Sequence, residues 1–248
     1  MGVAMNVRYL GWSGFEFRPQ AGRSILVDPF LTGRPQVEIP QSPVALADLT
    51  DVAAVIVSHG AFDHVGDSLD LMVRNPSALL ICGADVKALA MDTGIPELSI
   101  AVAVPGSSVV FAGILSIKAL QAAHLSSTVV AGRIHPGPAM SYLLDFSHGP
   151  RVFHGGDTAL SSEHALYGTF YRPEVAMLGV GGAVIAGRQV DEMNPAEALQ
   201  AALMLGVRTV VPMHYHGREG ADLERIVRAS TSELRCIVPR PGDWFELA

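Results

Sequence analysis

The chain has 248 residues, 49% hydrophobic and 17% charged, with a mean hydropathy of +0.33; this excludes a disordered polymer and favours one large core over 1–248. A net charge of −7 without a local Lys/Arg cluster disfavours a phosphate-gripping surface, so no nucleic-acid partner is expected. No apolar run approaches the roughly 18 residues needed to cross a bilayer, and no basic segment leads into a long apolar core near Met1; no membrane span or signal peptide is expected, and the cytoplasm is the expected location.

Short strands separated by turns are predicted over 7–10, 15–18 and 24–27, the last running into Asp28-Pro29. The continuous Val/Ile run over 52–57 reads as a strand buried on both faces, ending at Ser58-His59. A helix over 68–73, a strand over 78–82 and a helix over 85–91 follow. The middle is β-rich, with strands over 99–104, 108–111, 114–120, 140–146 and 152–154, and Ser147-His148-Gly149-Pro150 supplies a hairpin turn between the last two.

Alternation returns with a strand over 175–178. Asn194-Pro195-Ala196-Glu197 then has the form of an N-cap, a proline at the first helical position and a capping-box acid. The resulting helix over 195–205 stops at Gly206, followed by a strand over 209–212, a helix over 222–230 and strands over 236–238 and 244–247. Two βα halves with β-rich edges predict an α+β sandwich: two facing mixed sheets with helices on the outer faces. Cys82 and Cys236 sit in apolar surroundings away from metal-ligand spacing, which disfavours a disulfide framework or a thiolate metal site.

The chemistry concentrates where strands end. Ser58-His59-Gly60-Ala61-Phe62-Asp63-His64-Val65-Gly66-Asp67 places imidazoles and carboxylates, the donors that divalent transition metals prefer, in one glycine-bounded loop. His124, Asp157 and His214 each lie just beyond another predicted strand, so four strand exits at one sheet edge would gather a ligand cluster. His154 reads as a hydrogen-bonding residue near the site rather than a ligand. Asp28 either orients a ligand histidine or caps its turn. His216, two residues past His214, points to the same side in an extended segment and reads as a pocket residue or a surface one. Ser126 reads as a substrate contact or as turn chemistry, and His135, His148 and His164 as solvated. Gly179-Val180-Gly181-Gly182 lacks the ending of a phosphate loop and reads as a close-approach loop at the pocket rim. Trp12 and Phe62 read as an apolar wall or as core.

This pattern resembles the metallo-β-lactamase fold superfamily, with its His-x-His-x-Asp-His motif followed by a later His, an Asp and a final His. Tyr9-Leu10-Gly11, Val27-Asp28-Pro29-Phe30, Gly156-Asp157-Thr158 and Pro212-Met213-His214-Tyr215 are similar to the bacterial branch related to ascorbate-6-phosphate lactonase. The resemblance implies two metals, Zn or Mn with Fe as a further option. One would be held by His59, the position of Ala61 and His124, the other by Asp63, His64 and His214, with Asp157 shared between them.

It further implies hydrolysis of a small ester, lactone or phosphorylated sugar lactone by metal-bound hydroxide, with Asp63 and Asp157 as catalytic carboxylates. The alternatives are a phosphodiesterase or nuclease of the same fold, or an impaired metabolite-binding protein. A homo-oligomer fits as well. Ala61 departs from the motif because a methyl group cannot ligate, so the half containing Asp63, His64, Asp157 and His214 is expected to be the tighter. Natural ligand loss, a natural mononuclear centre and a deliberate His-to-Ala substitution all fit Ala61, and the completeness of the remaining motif favours the last.

Overall fold

A computed structural model describes residues 5–19, 22–181, 183–185, 188–190, 192–230 and 233–247. The first sheet contains β1 (Met5–Gly11), β2 (Gly14–Arg18), β3 (Ser24–Val27), β4 (Val52–Ile56), β5 (Leu79–Cys82) and β6 (Ile100–Val102). The second contains β7 (Ser108–Phe111), β8 (Leu115–Val130), β9 (Arg133–Phe146), β10 (Arg151–His154) and β11 (Val175–Gly179). A separate hairpin pairs β12 (Ala183–Ile185) with β13 (Arg188–Val190). β14 (Thr209–Met213) and β15 (Arg235–Cys236) complete the second sheet, and β16 (Trp244–Leu247) returns to the first.

The sheet orders are β16-β1-β2-β3-β4-β5-β6 and β15-β14-β11-β10-β9-β8-β7. Each is half antiparallel and half parallel. The parallel strands are β3 to β6 in one sheet and β10, β11, β14 and β15 in the other. Parallel strands are covered on both faces, and β4 and β11 are buried at every residue.

Phe15, Phe17, Ile25, Ile56, Tyr142, Met177 and Val211 fill the space between the sheets. The helices are α1 (Phe62–Val65), α2 (Ser68–Arg74), α3 (Ala84–Asp92), α4 (Glu163–Tyr171), α5 (Pro195–Leu205) and α6 (Glu219–Ala229). From α2 and α3, Leu71, Met72, Val86 and Ala90 pack with Leu26, Val55 and Leu80 on the outer face of the first sheet. From α4, α5 and α6, Tyr167, Ala201, Leu205 and Leu223 pack with Phe153, Leu178 and Val210 on the second. This is the α+β sandwich expected from the chain order.

Several elements differ from expectation. The strand predicted to end at 120 continues to Val130 through a bulge between Gln121 and Leu125, and its partner begins at Arg133 instead of 140. Ala131 and Gly132 join them with positive φ of 49° and 75°, the conformation of a tight hairpin turn. The extension escapes a strand reading because Leu125, Val129 and Ile134 are exposed apolar residues among Ala, Ser and Pro. Helix α4 gave no helical period because Leu166 and Phe170 face solvent; Gly168 within it permits close approach to α5, since a Cβ there would lie 2.5 Å from the Met204 carbonyl. Helix α6 begins at Glu219 rather than 222.

Candidate metal centre

The expected ligands all lie at one edge of the sandwich, mostly beyond the carboxyl ends of parallel strands, where α/β sheets open a crevice. His59 follows β4, Asp157 follows β10 and His214 follows β14, while Asp28 follows β3. Helix α1 is a single turn whose first residue is preceded by Ala61, and it ends at Gly66. With φ of +46° and no room for a Cβ beside the Pro29 carbonyl, Gly66 is a position only glycine fills. The turn buries Asp63 and His64 and leaves Phe62 exposed. Gly156 plays a similar part under Asp157: a Cβ would lie 2.9 Å from both the Met140 carbonyl and Ser58 Cβ.

His124 corrects the sequence reading. It does not follow a strand; it lies within β8, at the bulge. There the interrupted pairing re-aims its side chain towards the strand exits.

The Nε2 atoms of all four histidines converge on Asp157. His64 Nε2 lies 3.0 Å from Oδ1, and those of His214, His59 and His124 lie 3.4, 3.7 and 4.0 Å from Oδ2. His214 Nε2 also lies 3.3 Å from Asp63 Oδ2. His64 Nε2 and Asp157 Oδ1 are close but misaligned for a hydrogen bond, and both, with His59 Nε2, are buried without a hydrogen-bond partner. Buried imidazole nitrogens and carboxylate oxygens aimed at a common point fit a divalent cation. Three overlapping donor groups satisfy that geometry: His59, His64 and Asp157; Asp63, His64 and His214; and Asp157, Glu192 and His214.

The far nitrogens are held as well. His64 Nδ1 donates to Asp28 Oδ2 at 2.8 Å, which decides Asp28 as the carboxylate behind a candidate ligand. His214 Nδ1 meets Glu192 Oε2 at 2.9 Å. His59 Nδ1 is held by a hydroxyl, Ser58 Oγ at 3.0 Å, which itself donates to Asp28 Oδ2 at 2.7 Å. Trp12 Nε1 donates to Asp63 Oδ2 at 2.8 Å, and its ring lies 4.2 Å from that of His214. Trp12, Asp28 and His214 have positive φ of 54°, 43° and 55°. Each such residue costs about 1–3 kcal/mol and persists where the surroundings over-determine it.

Burial opposes charge on His64, but Asp157 and Asp28 on its two sides outweigh it and hold its pKa well above the ordinary value. For His214, burial is outweighed by Asp157, Asp63 and Glu192, which take it up to about 10. His59 goes the other way: burial and the neighbouring His64 push it down to about 3. Burial would raise Asp157, yet His214 and His64 keep it ionised well below the usual carboxylate range. Asp63 is also lowered, its burial outweighed by the bond to His214.

Other candidates fall around this cluster. His154 donates from Nε2 to the Ser13 carbonyl at 3.1 Å and accepts from the Gly156 amide at Nδ1, so it shapes the turn that carries Asp157. His216 is exposed, its ring tilted against that of Trp12 with centroids 4.7 Å apart, and it bonds the Glu38 carbonyl. Ser126 is not in a turn; it lies in β8, accepting from the Gly60 amide and donating to Asp85. His164 is buried against Ser161 rather than solvated. Gly181 approaches His214 so closely that a Cβ would overlap its carbonyl, while Gly182 lies outside the described residues. Glu192 and Asp85 were missed, because single acids in uncharacteristic loops and helix starts carry no spacing signal.

Beside His124 opens a cavity of about 440 Å³, lined also by Gln121, Leu125, Ser126, Pro136 and Pro138. A smaller one of about 210 Å³ around Met72 and Ile95 lies away from the cluster.

Residues 23–215, which include every clustered side chain except Trp12, match the family model of the beta-lactamase superfamily domain. The chain belongs to this superfamily. A UPF0173 metal-dependent hydrolase from Rubrobacter xylanophilus is 33% identical over 96% of this chain and 94% of its own. Among solved structures, Igni18, a metallo hydrolase from Ignicoccus hospitalis, superposes with a TM-score of 0.80 at 24% identity, covering 99% of both chains. An isothiocyanate hydrolase from Delia radicum gut bacteria superposes at 0.75 and 20% identity, covering 97% of this chain and 98% of its own. On its 33% identity to that relative along nearly the whole of both chains, this protein is a metal-dependent hydrolase, and its fold is that of the metallo-β-lactamase superfamily.

Proposed function

We propose that this hydrolase opens a small ester, lactone or phosphorylated sugar lactone at a centre whose principal cation is held by Asp63, His64, Asp157 and His214. The observation that carries the reading is the convergence of four Nε2 atoms on Asp157, next to a 440 Å³ cavity that His124 lines. That cavity accommodates a small molecule. A divalent cation held there, Zn or Mn with Fe as a further option, would supply Lewis-acid polarisation of a carbonyl oxygen, making its carbon more electrophilic, and would lower the pKa of water.

The chain's own groups complete the site. Asp63, fixed by Trp12 Nε1, is positioned to orient the attacking water. His59 and His124 form the second half of the centre, which lacks a side-chain donor at Ala61.

The test is reconstitution of chelated protein with Zn, Mn or Fe, followed by assay on esters, lactones, phosphorylated sugar lactones, a phosphodiester and an isothiocyanate. The proposal expects turnover of a carboxylic ester or lactone that rises with one equivalent of metal. Turnover confined to the phosphodiester, or equal in chelated protein, contradicts it.

A further inference from the structure

Asp85, in the first turn of α3, is 1% exposed. Its Oδ2 accepts from Ser126 Oγ at 2.5 Å, and the same hydroxyl accepts from the Gly60 amide at 2.9 Å. Two residues along β8, Thr128 Oγ1 donates to the Asp85 carbonyl at 2.8 Å. Glycines from three elements make room for the carboxylate: a Cβ at Gly60 or Gly83 would lie 2.7 or 2.6 Å from its oxygens, and one at Gly137 closer still. Oδ1 has no hydrogen-bond partner, a cost to folding that an apolar residue would avoid.

What the carboxylate ties together accounts for that cost. Gly60 is the residue after His59, and Ser126 is two residues after His124. His124 sits at the bulge, where the register with β9 shifts between Gln121 and Leu125. His59 is held at its far nitrogen by a hydroxyl instead of directly by a carboxylate.

We propose that Asp85 and Ser126 are positioning residues: they clamp the His59 loop to the His124 strand and set the spacing of that half of the centre. The inference rests on the reading of His59 and His124 as the metal centre's second half.

The test is zinc competition titration of Ala61→His alone and combined with Ser126→Ala or Ser126→Thr. With a donor restored at position 61, a second equivalent is expected. Ser126→Ala should weaken that equivalent roughly 10-fold or more, while Ser126→Thr, which keeps the hydroxyl, holds it within about threefold and the first equivalent is unmoved in both. An unchanged second equivalent in the Ala variant overturns the clamp. If Ala61→His gains no second equivalent, the two-half reading fails instead, and the clamp is judged on imidazole NMR signals of the otherwise unaltered chain. Ser126→Ala should then shift His59 and His124 but not His64 and His214; four unmoved rings overturn it.

Discussion

The two halves of the centre differ in what stands behind their ligands. Behind His64 and His214 are carboxylates, Asp28 and Glu192, and Asp63 is fixed by an indole. Behind His59 is a serine hydroxyl, and His124 lies where the β8–β9 register shifts. A carboxylate on the far nitrogen fixes an imidazole's tautomer and raises its basicity, so the first half is the better cation site before Ala61 is considered. Ala61, at the position where the family motif carries a histidine, therefore falls in the half whose His59 has the weaker support.

Removing the shared group should have the largest effect. Asp157→Ala takes away the carboxylate on which both halves converge and should reduce bound metal and turnover to background. His59→Ala should leave the first equivalent in place; metal content after dialysis distinguishes them.

Acidity comes next. His64 and His214 have raised pKa values, the latter about 10, so both carry protons at neutral pH that a cation must displace. Apparent affinity should rise with pH between 6 and 8, by up to roughly tenfold per unit for each proton released. Calorimetry in buffers of different ionisation enthalpy counts those protons, and none released would refute the charged-ring picture.

Smaller again are the supporting groups. Asp28→Asn and Glu192→Gln should each weaken the tight equivalent by roughly 10- to 100-fold, and Ser58→Ala by less than either. Equal losses would erase the distinction between the halves. The smallest effect belongs far from the site: Asn194→Ala, which removes the cap of α5, should cost about 1 kcal/mol in urea unfolding with metal affinity unaltered.

Much of this was legible in the sequence, for physical reasons. Buried parallel strands announce themselves as unbroken apolar runs, as in β4 and β11, and the residues that follow them must leave the sheet at its edge. Asn194, Pro195, Glu197 and Gly206 encode both ends of α5 locally, and the cap bonds to Ala196 and Glu197 are formed. The β8–β9 extension was hidden because its outward face is apolar and its pattern does not alternate as a half-buried strand does. Glu192, Asp85 and the Trp12 bond to Asp63 were hidden because each acts across large sequence separations that only the assembled sheets close.

The asymmetry itself is tested most directly by titrating the metal-free chain with zinc. The account predicts one tight equivalent and a second at least roughly 100-fold weaker, since the second half has no side-chain donor at Ala61 and His59 is backed by a hydroxyl instead of a carboxylate. Two equivalents of equal, high affinity would contradict it.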